Sequence, residues 1–170
     1  MNDNFLRSLD LVLKAEGGFS QHPDDPGGMT NLGVTKRVWE NFVGHEVSET
    51  DMRLLTKDIV TPLYLSKYWD KVRGDSLPDG VDYLVFDFAV NAGPSRAIKT
   101  LQQALHVVSD GILGPQTMQA IHAADPEELI DDYSKAKSAF YRGLGMFPTF
   151  GKGWLNRVTS TATEARTMIG

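Results

Sequence analysis

The chain has 170 residues, 41% hydrophobic and 23% charged, which fits one globular domain with a sizeable core. Its net charge of −5 argues against nucleic acid as a partner, and no apolar run approaches the ~18 residues that span a bilayer, so we expect no membrane insertion. The absence of cysteine excludes disulfides, zinc–thiolate sites and a cysteine nucleophile.

The N-terminal segment is predicted to be a helix that ends in a carboxylate. Phe5, Leu9 and Val12 recur at the spacing of one helix face, and the next residue on that face is Glu16. The glycine pair that follows is typical of a helix end. Burial and the negative end of the helix dipole both disfavour the charged form of Glu16, as a general acid requires. The alternative is a solvated glutamate at a frayed helix end.

A turn-rich segment with two aspartates follows this helix. DDPGG is a turn by composition, and Gly33 allows the backbone to approach another group closely. We expect a short hairpin or loop that folds back and places Asp25 and Thr30 across a groove from Glu16. Such a set suits glycosidic hydrolysis, in which Glu16 protonates the leaving oxygen while Asp25 and Thr30 hold a water molecule. The alternative is a calcium-like or purely structural turn, although the oxygen-ligand spacing of a calcium loop is missing.

The middle of the chain is predicted to be helical. Thr35 and Ser48 are predicted N-caps, and helix is expected as far as Tyr68 with an interruption at Pro62. We expect Trp69 in the core. The hydroxyl group of Tyr68 makes it the better candidate for contact with a saccharide.

The segment from Val81 to Ala92 is apolar nearly all round, which predicts a buried central helix. Asp87 and Asn91 lie one turn apart on it. Two interpretations remain open: structural hydrogen bonding by both residues, or contact between Asn91 and an acetamido group of a substrate.

The C-terminal part is predicted to contain helices beginning at Pro94, Pro115 and Pro126, a loop over 143–153, and a last helix that carries Trp154. The whole chain therefore predicts a mainly α fold, with about seven to nine helices and at most a small β-hairpin.

Several of these residues carry a resemblance to a known family. The motif E-G-G-F from Glu16, followed by D-P-G-G-x-T-x-x-G-V-T from Asp25, resembles the signature of glycoside hydrolase family 108. The likeness continues in Y-W at residues 68–69, in D-F-A-V-N-A-G at residues 87–93, and in D-G-x-x-G-P-x-T from Asp110. This last motif is similar to the turn of wall-binding repeats.

The resemblance implies a lysozyme-like fold and a catalytic site. Residues 1–93 are expected to form a catalytic region, and residues 94–170 a peptidoglycan-binding-like region packed on it as one compact unit. Glu16 matches the catalytic glutamate of the family. Asp25 and Thr30 rest on a further similarity to the Glu–Asp–Thr triad of phage lysozymes, and Asp24 competes with Asp25 for the role of the aspartate.

The implied activity is that of an endolysin-type muramidase, which hydrolyses the β-1,4 bond between N-acetylmuramic acid and N-acetylglucosamine in bacterial peptidoglycan. A lytic transglycosylase and a non-catalytic wall-binding or secretion-activating protein are the alternatives. We expect a monomer that needs neither cofactor nor metal, since its histidines show no metal-ligand spacing. No secretory signal is evident. We therefore expect synthesis in the cytoplasm. The resemblance implies release to the peptidoglycan through a separate pore protein, a holin.

Overall fold

The computed structural model describes residues 2–21 and 28–170, and the helices dominate the described part of the chain. The α-helices are α1 Asp3–Glu16, α2 Lys36–Val43, α3 Glu49–Arg53, α4 Lys57–Tyr64, α5 Val81–Ala92, α6 Pro94–Ala104, α7 Pro115–Ala123, α8 Pro126–Arg142 and α9 Phe147–Met168. A π-helix, Leu65–Trp69, extends α4, and a 3-10 turn, Gly74–Ser76, precedes α5. The predicted mainly α, lysozyme-like class is confirmed.

The β structure is a small antiparallel sheet with strand order β1-β2-β3. Its strands are β1 Ser20–Gln21, β2 Met29–Asn31 and β3 Val34–Thr35. Strands β2 and β3 form a hairpin whose two-residue turn, Leu32-Gly33, has positive φ at both positions, as a type I′ turn requires. The hydroxyl group of Tyr64 donates to the carbonyl of Leu32 at 2.7 Å, which fixes this turn against the helices.

Helix α5 lies at the centre of the core. Its residues from Val81 to Ala89 are all buried, as the apolar pattern predicted. On one side, the rings of Phe5, Trp69 and Phe86 meet with centroids 5.3–5.8 Å apart. Trp69 is fully buried, so the core prediction for this residue is confirmed. Helices α6, α8 and α9 pack against α5 on its other sides.

Two predicted boundaries are wrong. The helical run after Ser48 breaks at residues 54–56, where Thr56 caps the start of α4 by accepting from the amide of Ile59. Pro62 lies inside α4 without interrupting it. The predicted loop over 143–153 is mostly helix, because α9 begins at Phe147 and its glycine at 151 gives room for the Phe147 ring.

The D-G-x-x-G-P-x-T motif is organised by one buried side chain. The amide nitrogen of Gln102 donates to the Asp110 carboxylate, to the Ile112 carbonyl and to the Thr117 hydroxyl. The Gln102 amide oxygen accepts from the backbone of Gly111. These bonds tie the turn and the start of α7 to α6, so the motif has a structural role in this chain.

None of the helices that the structure describes is both long and apolar enough to cross a membrane.

Candidate active site

Glu16 is the last residue of α1, and its side chain is 24% exposed. Gly17 ends the helix with φ of +81° and donates its amide to the carbonyl of Leu13, as the glycine pair predicted. The residues before Glu16 on the same face, Leu9 and Val12, are fully buried. The helix thus holds the Glu16 carboxyl group at the edge of the core rather than in bulk water.

The hairpin turn closes one side of the Glu16 side chain. A β-carbon placed on Gly33 would lie 2.8 Å from Cγ of Glu16 and 2.6 Å from the hydroxyl oxygen of Tyr64. Only glycine fits there, because φ of Gly33 is +75° as well. The sequence prediction of a close backbone approach at Gly33 is confirmed, and the group approached is Glu16 itself.

Two tyrosines line the site from the end of α4 and the π-helix. Burial raises the pKa of Tyr64 and of Tyr68, and the negative charge of Glu16 raises both pKa values further. Both hydroxyl groups therefore stay protonated at neutral pH. That of Tyr64 already donates to the Leu32 carbonyl, and that of Tyr68 can donate to a substrate. Tyr68 is half-buried beside Tyr64, with ring centroids 5.6 Å apart. This position is compatible with the predicted substrate contact by Tyr68.

The other side of Glu16 is formed by an arginine that the sequence analysis did not single out. A guanidinium nitrogen of Arg157, on α9, lies 3.8 Å from a carboxylate oxygen of Glu16 and 2.8 Å from a carboxylate oxygen of Asp87. The shorter contact is a hydrogen bond, and the longer one is beyond hydrogen-bonding distance. Arg157 is therefore paired first with Asp87 and only secondarily with Glu16.

A buried lysine completes this group of charges. The ammonium nitrogen of Lys137, on α8, lies 3.9 Å from the second carboxylate oxygen of Asp87, and both side chains are 2% exposed. Burial lowers the pKa of Lys137 to about 8, although the charge of Asp87 opposes this shift. Asp87, Lys137 and Arg157 will be called the buried charge cluster. Arg157 supplies a hydrogen bond to one carboxylate oxygen of the buried Asp87, and Lys137 faces the other as a charge at 3.9 Å without a hydrogen bond.

The surroundings of Glu16 favour its protonated form. Burial raises the pKa of its carboxyl group, the positive charge of Arg157 lowers it, and the negative charge of Asp87 raises it; the net shift is upward. A glutamic acid that keeps its proton to higher pH than usual can donate that proton to a leaving group.

Of the predicted water-holding pair, only Thr30 can be placed. Asp25, with its competitor Asp24, lies outside the described residues. Thr30 is on β2, opposite Ser20 of β1, and the two hydroxyl oxygens are 2.8 Å apart. The sheet that carries Thr30 borders Glu16 through its hairpin turn. Ser20 is a further residue that the sequence analysis missed.

Asn91 is exposed in the last turn of α5, at the rim of a groove of about 370 Å³. The groove, which will be called the aromatic groove, is lined by Asn91, Ala92, Phe140, Tyr141, Leu144, Trp154 and Arg157. The structure thus connects Asn91 with the arginine that contacts Glu16.

Within residues 2–21 and 28–170, no three His, Asp or Glu side chains come together as they would around a metal ion.

Comparisons with known proteins identify the family of the chain. The model of the family described as "Glycosyl hydrolase 108" matches residues 9–93, and that of the "Predicted Peptidoglycan domain" matches residues 96–159. The solved structure titled "Structure of Brucella abortus SagA" is 40% identical in sequence, with a TM-score of 0.85 over 96% of this chain and 94% of that chain. No curated protein matches the chain. The chain therefore belongs to the glycosyl hydrolase 108 family, as the sequence motifs implied, and this membership indicates glycoside hydrolase activity on peptidoglycan.

Proposed function

We propose that the protein is a muramidase, which hydrolyses the β-1,4 bond between N-acetylmuramic acid and N-acetylglucosamine with Glu16 as the general acid. The observation that carries the proposal is the placement of Glu16 at the edge of the core, where burial raises the pKa of its carboxyl group. The match of the C-terminal half to a peptidoglycan domain supports the choice of substrate.

In this mechanism, Glu16 donates its proton to the glycosidic oxygen as the bond to the anomeric carbon breaks. A water molecule held by Asp25 and Thr30 attacks the anomeric carbon from the other face and gives up its proton to Asp25. The Ser20 hydroxyl, 2.8 Å from that of Thr30, orients the threonine hydroxyl toward the water. This mechanism inverts the configuration at the anomeric carbon.

The deciding experiment replaces Glu16 by glutamine, which keeps the size of the side chain but cannot donate an acidic proton. Release of reducing ends from purified sacculi should fall by about 10²–10⁴-fold, the usual contribution of a general acid. Glu127→Gln, at an exposed position in the first turn of α8, is the matched control and should retain full activity. Retained activity in Glu16→Gln, with unchanged thermal unfolding, would refute the assignment.

The products separate hydrolysis from the alternatives. Hydrolysis in ¹⁸O-labelled water places the label at the new reducing end, and mass spectrometry detects it. Products with 1,6-anhydro ends would instead identify a lytic transglycosylase, since that reaction consumes no water. Binding to sacculi without any cleaved product would identify a non-catalytic wall-binding protein.

A further inference from the structure

We propose that the aromatic groove is a binding subsite for an N-acetylated sugar of the glycan strand, contributed mainly by the C-terminal half of the chain. The inference rests on the proposed function, because it takes the same glycan strand as the occupant. It extends that function by assigning a substrate contact to Tyr141, Leu144 and Trp154, which lie outside the glycosyl hydrolase 108 match.

The groove adjoins the candidate acid. Arg157 lines the groove, and the same guanidinium group lies 3.8 Å from a carboxylate oxygen of Glu16. The Arg157 side chain therefore spans the distance between the aromatic groove and the Glu16 carboxyl group. A polymer that places one glycosidic bond at Glu16 has its neighbouring sugars on either side, and the groove lies where such a neighbour needs a surface.

The walls of the groove have the chemistry that a sugar ring requires. Tyr141 and Trp154 form a stacked pair, with ring centroids 5.2 Å apart and planes 27° apart, and Phe150 extends the stack into solvent with half of its surface exposed. Apolar walls with a few placed polar groups are typical of small-ligand sites. The C–H groups of a pyranose ring and the methyl group of an acetamido substituent both pack well against such rings.

The polar group at the rim selects for the acetamido substituent. Asn91 is exposed there, and its side-chain amide offers both a donor and an acceptor. An acetamido group needs that pair, since it presents one N–H and one carbonyl. Both sugars of the peptidoglycan strand carry this substituent.

A second groove beside the site lacks these features. It lies between α1 and α9, has a volume of about 640 Å³, and is also bordered by Arg157. Its other polar borders are Lys14, Asp87, Glu164 and three hydroxyl groups, and Tyr83 is the one aromatic ring that the structure places in its lining. The stacked pair of Tyr141 and Trp154 lines the aromatic groove. For this reason we assign the sugar subsite to the aromatic groove and not to the second groove.

The test measures binding without catalysis. Every variant is made in the Glu16→Gln protein, and the probe is a set of short, peptide-free strands of alternating N-acetylglucosamine and N-acetylmuramic acid. Isothermal titration gives the affinity. Asn91→Ala should weaken binding about threefold to tenfold, since a lost hydrogen bond is worth about 0.5–1.5 kcal/mol. Trp154→Leu should weaken it at least as much, because it removes half of the ring pair.

Val108→Ala is the matched control, because Val108 is 69% exposed in the same half of the chain but does not border the groove. Its affinity should equal that of the parent. If Trp154→Leu does not fold, Leu144→Ala, at an exposed position on the groove, replaces it. Parental affinity in Asn91→Ala and in the folded groove variant would overturn the proposal.

The outcome is separable from that of the proposed function. If Glu16→Gln were to keep its activity, the catalytic assignment would fall, and the groove variants would then be titrated with strands whose glycosidic oxygens are replaced by sulfur, which resist cleavage. If Glu16→Gln is inactive and the groove variants bind as the parent does, the proposed function stands and the subsite is refuted.

Discussion

Two regions of the molecule border Glu16, and they act on it in different ways. On the helical side, the buried charge cluster presents Arg157 at 3.8 Å. On the sheet side, the turn of the β2–β3 hairpin presents no charged group, only the backbone of Gly33, close enough that a β-carbon there would lie 2.8 Å from Cγ of Glu16. The first region sets the charge around the acid, and the second sets the space available to it.

Burial raises the pKa of Glu16 by more than the positive charge of Arg157 lowers it, which is how a glutamate can lie beside an arginine and still keep a raised pKa. Asp87 adds to the upward shift, and Arg157 lies closer to it, at 2.8 Å, than to Glu16. Changes in the charge cluster should therefore alter stability and the pH dependence of activity. Changes in the hairpin turn should alter the rate at every pH.

The largest effect is expected from Asp87→Asn. Removing one partner of a buried ion pair typically costs about 3–5 kcal/mol of unfolding free energy, because the other charge is left uncompensated. Here Lys137 and Arg157 are the charges that lose their partner, and urea unfolding measures the loss. Burial already lowers the pKa of Lys137 to about 8, and without Asp87 it should fall further. The loss should therefore be smaller at pH 9, where Lys137 is neutral, than at pH 6.

Asp132→Asn, at an exposed position on α8, serves as the control and should change the unfolding free energy by no more than about 0.5 kcal/mol. A loss below about 1 kcal/mol in Asp87→Asn at both pH values would show that the cluster is not a coupled set of charges.

The next effect in size is expected on the sheet side, from Gly33→Ala. The added β-carbon would displace the Glu16 side chain or the hydroxyl of Tyr64, and a misplacement of about 1 Å can lower a rate about 100-fold. An L-residue at this positive φ costs a further 1–2 kcal/mol or so of stability. The fall in kcat/KM, measured on soluble glycan strands, should be similar on both sides of the pH optimum.

Gly18→Ala is a matched control from the same motif, since a β-carbon on Gly18 would meet none of the described residues within 4 Å. Equal activity in the two alanine variants would mean that the hairpin turn does not position the acid.

The two regions also differ in how far the sequence predicted them. Glu16, the glycine pair after it and the need for Gly33 follow from helix periodicity and from a short motif, because these residues are close in sequence and in space. Lys137 and Arg157 left no such signal. A buried lysine runs against the general exposure of lysine, and Arg157 follows a stretch whose glycines predicted a loop where α9 actually runs. Only the packing of α8 and α9 on α5 brings them to Asp87.

A smaller effect, on pH dependence, is expected from Arg157→Met. The positive charge of Arg157 lowers the pKa of Glu16, so its removal should raise that pKa. Because the general acid must be protonated, the alkaline fall in kcat/KM should move to higher pH. Asp87 acts in the opposite sense on Glu16, so Asp87→Asn should move the same fall to lower pH.

Arg157→Lys keeps the positive charge and should restore much of the parental pH profile of kcat/KM. Arg157 also borders the aromatic groove, so its replacement can change the maximum of that profile through binding. The quantity to compare is therefore the pH at which kcat/KM falls on the alkaline side. If the alkaline limb moved in the same direction in Arg157→Met and in Asp87→Asn, charge on the helical side would not control the pKa of Glu16.

The smallest effect is expected from Ser20→Ala, which removes the hydroxyl group that lies 2.8 Å from that of Thr30. The pair is exposed, so the cost in stability should be at most about 1 kcal/mol. If Ser20 orients Thr30 toward the attacking water, kcat should fall severalfold, and Thr30→Val should lower it further by removing the water-holding hydroxyl itself.

Ser109→Ala, at an exposed position far along the chain, should leave kcat unchanged. A loss in Ser20→Ala equal to that in Thr30→Val would mean that the serine hydroxyl contacts the water directly, because a group that only orients Thr30 should matter less than Thr30 itself. Parental kcat in both Ser20→Ala and Thr30→Val would show that the sheet does not hold the water. Of the sheet, the hairpin turn alone would then act on Glu16.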